Sequence, residues 1–349
     1  QIGGRRNIII NGAMQVAQRG TSATGVGASS VYPALDRFLF GREDGSQSAR
    51  FTVSQETVSS SDDPFKTDGH NKMMKVDITT ASGGISSGQA HYIVQRLEGQ
   101  DVFHLAYGTS SAKKVTLSFW MKTDTKTGVM GVSLFHGGIR SHVKEISLTT
   151  SWQKFELTYI GDTGDTFAND NTSEYQIAFA LSAGSNFQVT ANQWADGFDL
   201  TTSNQVDFTD NTSNNIYLTG IQLEVGEQAT PFEHRSFGEE LALCQRYFQK
   251  TYTYTEYLGS NTDAGCVNYI GSNSSDEFNF NFIATMRAPP TMSLMRKNGG
   301  AANNAQRGNN SATYANIAST GVTEVGFEIS NDATNSANYR FHYYADSEL

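Results

Sequence analysis

Only two cysteines, Cys244 and Cys266, occur in 349 residues. They are too few for a disulfide framework or a four-ligand zinc site, and they read as two reduced thiols. No apolar stretch reaches the roughly 18 residues that a membrane helix needs. The opening QIGGRRNIIINGAMQ carries only a short isoleucine run, too brief for a secretory h-region. Basic residues are also in deficit, with 25 Lys+Arg against 35 Asp+Glu and a formal charge of −10. That balance supplies no basic face for general nucleic-acid binding. Charged residues are 17% of the chain, against about 25% in an ordinary globular protein. No P-loop or Rossmann fingerprint is present. The seven histidines show no HExxH or similar metal-binding spacing. Glycine is plentiful but has no three-residue period, which excludes collagen.

What is present is strand and turn material. There are 21 Phe and 15 Tyr among many threonines, which favour strands. There are 33 Gly and many Asn, which favour turns. The length predicts two domains. The hydrophobic periodicity is overwhelmingly two. Leu117, Phe119 and Met121 alternate with Thr116, Ser118 and Trp120. Phe155, Leu157 and Tyr159 alternate with polar residues, and Tyr175, Ile177, Phe179 and Leu181 alternate with Gln176 and two alanines. Tyr217, Thr219, Ile221, Leu223 and Val225 form one face. Further strands are expected near 7–16, 36–42, 49–58, 72–79, 90–97 and 129–136. This is an all-β pattern, and about ten strands before residue 230 predict a two-sheet jelly-roll sandwich over 1–235.

One segment breaks the rule. In FGEELALCQRYF, Phe237, Leu241, Cys244 and Phe248 fall on one helical stripe, and Ser236 with Glu239 forms a capping box. A short linking helix is predicted at 237–248. Strands resume in TYTYTEY, EFNFNFIATM and NYRFHYYAD, so 236–349 is predicted to be this helix followed by a smaller β domain of five to seven strands. The polar tract at 296–316 reads as a long exposed loop, with Arg296, Lys297 and Arg307 as a local basic tip and a distal contact candidate.

Candidate ligand chemistry lies in aromatics off the core face. Trp120 sits opposite the apolar face of its strand. Trp194 lies in ANQWADGFDL beside Asn192, Gln193 and Asp196. A flat indole flanked by amides and carboxylates suits a sugar, the ring stacking on its apolar face and the polar groups bonding its hydroxyls. The plain alternative is that each indole covers a sheet edge or packs under a loop. Asp196, Asp199, Asp207 and Asp210 are close in sequence, but without EF-hand spacing; they leave Ca²⁺ open while no cofactor is assigned. No catalytic residues are assigned.

At 216–250, IYLTGIQLEVGEQATPFEHRSFGEELALCQRYFQK resembles a segment frequent in tail-fibre and other virion structural proteins of tailed bacteriophages. The resemblance is carried by Leu218 to Gly226, by Thr230-Pro231-Phe232-Glu233, and by Cys244-Gln245-Arg246-Tyr247. Asn7 to Gly12, Gln18-Arg19-Gly20, Asp36-Arg37-Phe38, Gln95 to Gly99, Val115 to Trp120, Met286 to Thr291 and Ala345 to Leu349 are similar landmarks. Residues 296–316 depart from the pattern, as does Phe38, where the family often has Trp. The resemblance implies a jelly roll similar to carbohydrate-binding modules on a virion appendage of the tail or head, assembled in the host cytoplasm and commonly homotrimeric. It carries no catalytic residues. The landmarks themselves read as fold determinants, with Gly220 in a bulge, Gly226 in a turn and Asp36-Arg37 as an ion pair or turn anchor.

Three functions compete at this point. The first is a non-enzymatic fibre or spike protein binding host-surface polysaccharide. The second is a decoration, head-fibre or adaptor protein contacting other virion proteins without glycan binding. The third is a depolymerase with two carboxylates in a cleft. If a trimer forms, the helix stripe is a candidate for its axis; alternatively it caps the open edge of the jelly roll.

Overall fold

The computed structural model describes residues 6–44, 47–137, 140–271, 277–299, 302–308, 314–332 and 337–349. The chain divides into two compact units. One comprises 1–17, 21–237 and 349, and the other 18–20 and 238–348. The strands of the first are β1 (Ser22–Val26), β2 (Leu39–Glu43), β3 (Arg50–Thr57), β4 (Lys72–Thr80), β5 (Ala90–Glu98) and β6 (Val115–Thr123). They continue with β7 (Gly128–His136), β8 (Arg140–Leu148), β9 (Gln153–Tyr159), β10 (Ser173–Ala183), β11 (Trp194–Asp196) and β12 (Ile216–Val225). Short helices α1 (Asp63–Asp68) and α2 (Gly99–Val102) interrupt them.

These strands form two antiparallel six-stranded sheets, the predicted jelly-roll sandwich. Sheet 1 has the order β1-β3-β4-β12-β6-β9 and sheet 2 the order β11-β8-β7-β10-β5-β2. Period-two alternation turns one face of each sheet inward, except in β12, where the register shift at Gly220 brings Leu218 and Leu223 to the same face. Tyr217 and Thr219 therefore do not share the face of Ile221 and Leu223, contrary to expectation. Phe51, Val76, Leu117, Phe119, Leu218 and Leu223 from sheet 1 meet Ile93, Val132, Leu134, Ile177, Phe179 and Leu181 from sheet 2. Phe119 meets Phe179 edge to face, with centroids 5.0 Å apart, so an aromatic pair joins the sheets at mid-core.

The segment 7–16, predicted as a strand, is irregular. Asn11 and Met14 take φ of 61° and 58°, which breaks a ladder. The segment is nevertheless tied down. Asn7 Nδ2 donates to Ile221 O, and its Oδ1 accepts from Ile9 N and Leu223 N. Glu233 accepts from Arg6 N at 2.7 Å and Asn7 N at 2.6 Å, and Gln95 exchanges two hydrogen bonds with Ile10. Glu224 accepts from Gln222, Thr230 N and Thr230 Oγ1. The motif residues of 216–233 thus act as a polar clasp, which is the structural role expected of them. Gly220 sits at a register shift in β12 with φ of 66°, and a Cβ there would lie 2.5 Å from His70 Nε2.

The second unit holds α3 (Phe237–Gln245; Phe237 itself falls in the first) and β13 (Phe248–Lys250). It continues with β14 (Val267–Gly271), β15 (Glu277–Asn281), β16 (Thr291–Arg296), β17 (Asn304–Arg307), β18 (Tyr314–Thr320), β19 (Gly326–Asn331) and β20 (Ala337–Asp346). The backbone of this eight-stranded, curled sheet is β13-β20-β17-β18-β19-β15, and the long β20 also pairs with β14 and β16. Leu294, Ile317, Phe327, Ile329 and Phe341 lie at its core.

Three expectations need correction here. The helix stops at Gln245, and Phe248 belongs to β13, opposite Asp346. The stripe Phe237/Leu241/Cys244/Phe248 is therefore not one helical face. Cys244 and Phe248 are fully buried, and the Arg19 guanidinium lies 3.7 Å over the Phe248 ring. TYTYTEY contributes no strand beyond Lys250, because Tyr252 turns inward and stacks on His342 at 3.8 Å. Finally, 296–316 is not one exposed loop. Within it, β17 pairs with β18, Ala305 is fully buried, and Asn304 and Gln306 are buried. Residues 300–301 and 309–313 of that tract lie outside the described residues.

Candidate functional site

The predicted tryptophans are placed by the sandwich, Trp120 buried and Trp194 partly exposed. Trp120 points to the outer side of sheet 1, as its alternation requires, but is only 6% exposed. Its Nε1–H donates to Asp68 at the end of α1 at 2.7 Å, and Lys154, opposite it on β9, pairs with the same carboxylate oxygen at 2.9 Å. Burial works against charge on Asp68, yet the bonds from Trp120 and Lys154 hold its carboxyl below the ordinary value. Trp194 begins β11 opposite His142. It is half-buried against the core, bonds Ile160 O through Nε1 at 2.8 Å, and meets Tyr107 and His142 edge to face. Both indoles thus have hydrogen-bond and packing partners within the protein.

Asp196 pairs with Arg140, which also binds the buried Asp162. The other aspartates of that run have separate local partners. Asp199 accepts from Ser141, Asp207 from Ser82 and Thr209, and Asp210 from Lys126 and Asn214. Among the described residues no three His, Cys, Asp or Glu groups converge on a point where a metal would sit.

Asn192 and its neighbours do contribute to a concavity. The segment between β10 and β12 lies over the outer face of sheet 2. Phe198 stacks on Phe135 at 4.5 Å, and Gln205 bonds Gly131 N and Ala180 O. Leu39, Tyr92, Val94 and Leu200 complete a small apolar cluster there. Above it, Glu145, Ser185, Gln188, Thr190, Asn192, Thr202 and Asn204 line an open groove of about 830 Å³. Glu145 accepts from Thr202 Oγ1 and Asn204 Nδ2, which fixes its carboxylate, and Lys144 donates to Asn192 Oδ1 at 3.0 Å. Asn192 takes φ of 69°, a left-handed position that Asn tolerates. Gln193 is exposed beside it. Of the predicted glycan contacts, Asn192 lines this groove while Trp194 packs into the core. Glu145, Gln188 and Thr202 were missed, because they come from different segments that only the folded loop brings together.

The basic tip is not free-standing. Lys297 pairs with Asp263 at 2.7 Å, the Arg296 guanidinium covers the Tyr314 ring at 4.8 Å, and Arg307 ends β17. In the second unit Cys266 Sγ approaches His342 Nε2 to 3.1 Å. Burial pushes the thiol up to about 11 and the imidazole down. That favours a neutral pair over an activated thiolate nucleophile.

No protein-family model matches the chain, and no curated protein matches it. Solved structures do show distant similarity. A family 11 carbohydrate-binding module from Clostridium thermocellum, in complex with a β-1,3-1,4-mixed-linked tetrasaccharide, is 14% identical with a TM-score of 0.29, covering 60% of this chain and 99% of that one. TmCBM61 in complex with β-1,4-galactotriose is 10% identical with a TM-score of 0.31, covering 64% and 100%. The CBM22-1 xylan-binding domain from Paenibacillus barcinonensis Xyn10C is 9% identical with a TM-score of 0.29, covering 65% and 100%. Overlaps this weak assign no ligand and no residue role to this chain.

Proposed function

We propose that this chain is a non-enzymatic glycan-binding protein of a bacteriophage tail or head appendage, which holds host-surface polysaccharide in the groove above sheet 2. The observation that carries the reading is the groove itself. Its volume of about 830 Å³ falls within the ~300–1,000 Å³ of small-molecule sites. Apart from Val189 and Ala191, its lining is amides, hydroxyls and one fixed carboxylate, the groups that exchange hydrogen bonds with sugar hydroxyls. The virion setting, the assembly in host cytoplasm and a homotrimeric state rest on the motif resemblance at 216–250 and its companions. Weak single sites repeated in a trimer would add through avidity.

The test is affinity electrophoresis of the intact chain through gels carrying host cell-surface polysaccharides, beside the Gln188→Ala/Asn192→Ala double variant. Retardation of the wild type that is lost in the variant supports the reading. Retardation unchanged by the variant moves the site elsewhere.

A structural or adaptor role is the second reading, and one observation favours it. Tyr257, Ile270, Ile283 and Val325 of the second unit are large apolar side chains left exposed. Exposed apolar side chains mark a protein contact where they form one contiguous patch. A correctly folded wild type unretarded in every gel would transfer the assignment to this role.

A further inference from the structure

The groove above sheet 2 is built around one carboxylate. Ile146 and Leu148 of β8 turn into the core, so Glu145 stands on the outer face, where it is exposed. Opposite it on β7 is Gly131. A Cβ at Gly131 would lie 2.4 Å from Leu200 O and 2.5 Å from Thr201 Oγ1, so the bare position lets the 200–204 segment lie directly on the sheet. Gln188 pairs with Thr201 in a parallel bridge, and Val189 N donates to Thr201 O at 2.9 Å, which ties the two walls together. Asn192 N donates to Val143 O at 2.8 Å and fixes the far end of one wall on β8. Thr202 Oγ1 and Asn204 Nδ2 then both reach the same oxygen of Glu145, Oε1. Among the described residues its other oxygen, Oε2, accepts no hydrogen bond, and the carboxylate forms no ion pair.

The covering segment brings no cation to this acid, since no Lys or Arg occurs between Gly184 and Val206. Lys144 adjoins Glu145 in the chain but alternates to the other face. Its ammonium bonds Asn192 Oδ1 at 3.0 Å and lies 5.6 Å from the Tyr159 ring centroid. Glu145 is the only charged side chain lining the groove. A carboxylate already held in place gives up little rotamer freedom when it accepts a further bond. The donor it favours most is a charged one, because charge-assisted hydrogen bonds are the stronger kind. Among sugars, that donor is a free protonated amine; acetylation of the amine leaves only a neutral N–H. We infer that the groove selects glycans bearing a free amino group, whose ammonium donates to Glu145 Oε2 while ring hydroxyls bond the amides of Gln188 and Asn192. The glycan part of this inference rests on the reading given above; the amine part rests on the geometry of Glu145.

The experiment is calorimetric titration of the intact chain with three β-1,4-linked tetramers of one backbone that differ only at C2. They carry a hydroxyl (cellotetraose), an acetamido group (chitotetraose) or a free amine (the tetramer of glucosamine). The amine tetramer should bind about fivefold more tightly than the other two, the size expected of one exposed but pre-oriented ion pair. Glu145→Gln is an isosteric change at an exposed position, and it should bring that ratio to about one. Raising the salt from about 0.05 M to about 0.5 M should shrink the ratio in the wild type and leave it unmoved in Glu145→Gln. Gln188→Ala/Asn192→Ala should weaken all three tetramers. A ratio of one or less in the wild type, a ratio unchanged by Glu145→Gln, amine binding indifferent to the double variant, or no binding of any tetramer would each overturn the inference. Equal binding of all three that is lost in the double variant would sink the amine preference alone and keep the groove as a glycan site. Where no tetramer binds, retardation by host polysaccharide still decides the glycan-binding reading separately.

Discussion

Moving from about pH 7 to about pH 5 should remove much of the stability of the sandwich, and three buried histidines supply the reason. His91 is wedged against Phe40 and Phe51. Burial, aided by the charges of Arg42 and Arg50, depresses it to about 3. Burial and the neighbouring His234 take His70 to about 4, and burial and Lys144 take His142 to about 4. Each is at most 1% exposed. In the unfolded chain all three titrate near 6.5. The unfolded state therefore binds more protons below that value, so stability is complete above the unfolded pKa and is lost as pH falls toward the folded ones. At pH 5 each ring costs about 2.303RT × 1.5, or ~2 kcal/mol. Allowing for the small part already lost at pH 7, the three together cost about 5 kcal/mol, comparable to the whole stability of a marginal domain. Asp68 and Asp162 have lowered pKa values, with burial opposed by their hydrogen bonds and cationic partners. Their contributions persist down to the unfolded carboxylate range near 4 and do not confuse this window. The assay is denaturant unfolding followed by tryptophan fluorescence, since Trp120, Trp152 and Trp194 all lie in the first unit. A loss under about 1 kcal/mol between the two pH values would refute the argument. His91→Phe should remove about a third of the pH dependence.

Gly220→Ala should destabilise the sandwich by about 2–4 kcal/mol, from the left-handed backbone and the collision with His70; denaturant midpoints check this. Glu233→Ala strips the acceptor from Arg6 N and Asn7 N and should cost about 1–3 kcal/mol, read as a lower melting temperature. Trp194→Ala should lower stability by about 2–3 kcal/mol while leaving polysaccharide retardation unchanged, the reverse of Gln188→Ala/Asn192→Ala.

The sandwich was legible because its strands carry their burial in a period of two. Leu117, Phe119 and Met121 face inward as their spacing requires. Irregular backbone was less so. Residues 7–16 look like a strand by their isoleucines, but a side-chain clasp from Asn7, Gln95 and Glu233 shapes them, and its bonds to Gln95, Ile221 and Glu233 span 85 to 227 residues with no local signature. Phe248 continued the helical spacing of Phe237, Leu241 and Cys244, yet pairing with β20 overrode it. Polar composition hid β17, whose NAQR buries Asn304 and Gln306 beside its one apolar residue, Ala305. Asn192, singled out from its neighbourhood, does line the groove. Trp120 and Trp194 were indistinguishable in sequence from surface indoles, because Asp68 and Ile160, which satisfy their N–H groups, are remote in the chain.

The order of sheet 1 has a kinetic side. Its strand β12, the last of the sandwich in the chain, lies between β4 and β6. While the polypeptide emerges from the ribosome, those two strands each present an unpaired edge until residues 216–225 are made. Non-local closure of this kind makes folding slow. During that interval the two open edges are templates for strands of neighbouring nascent chains. Yield on expression should therefore depend on translation rate and chaperone supply more steeply than the stability of the finished sandwich would suggest.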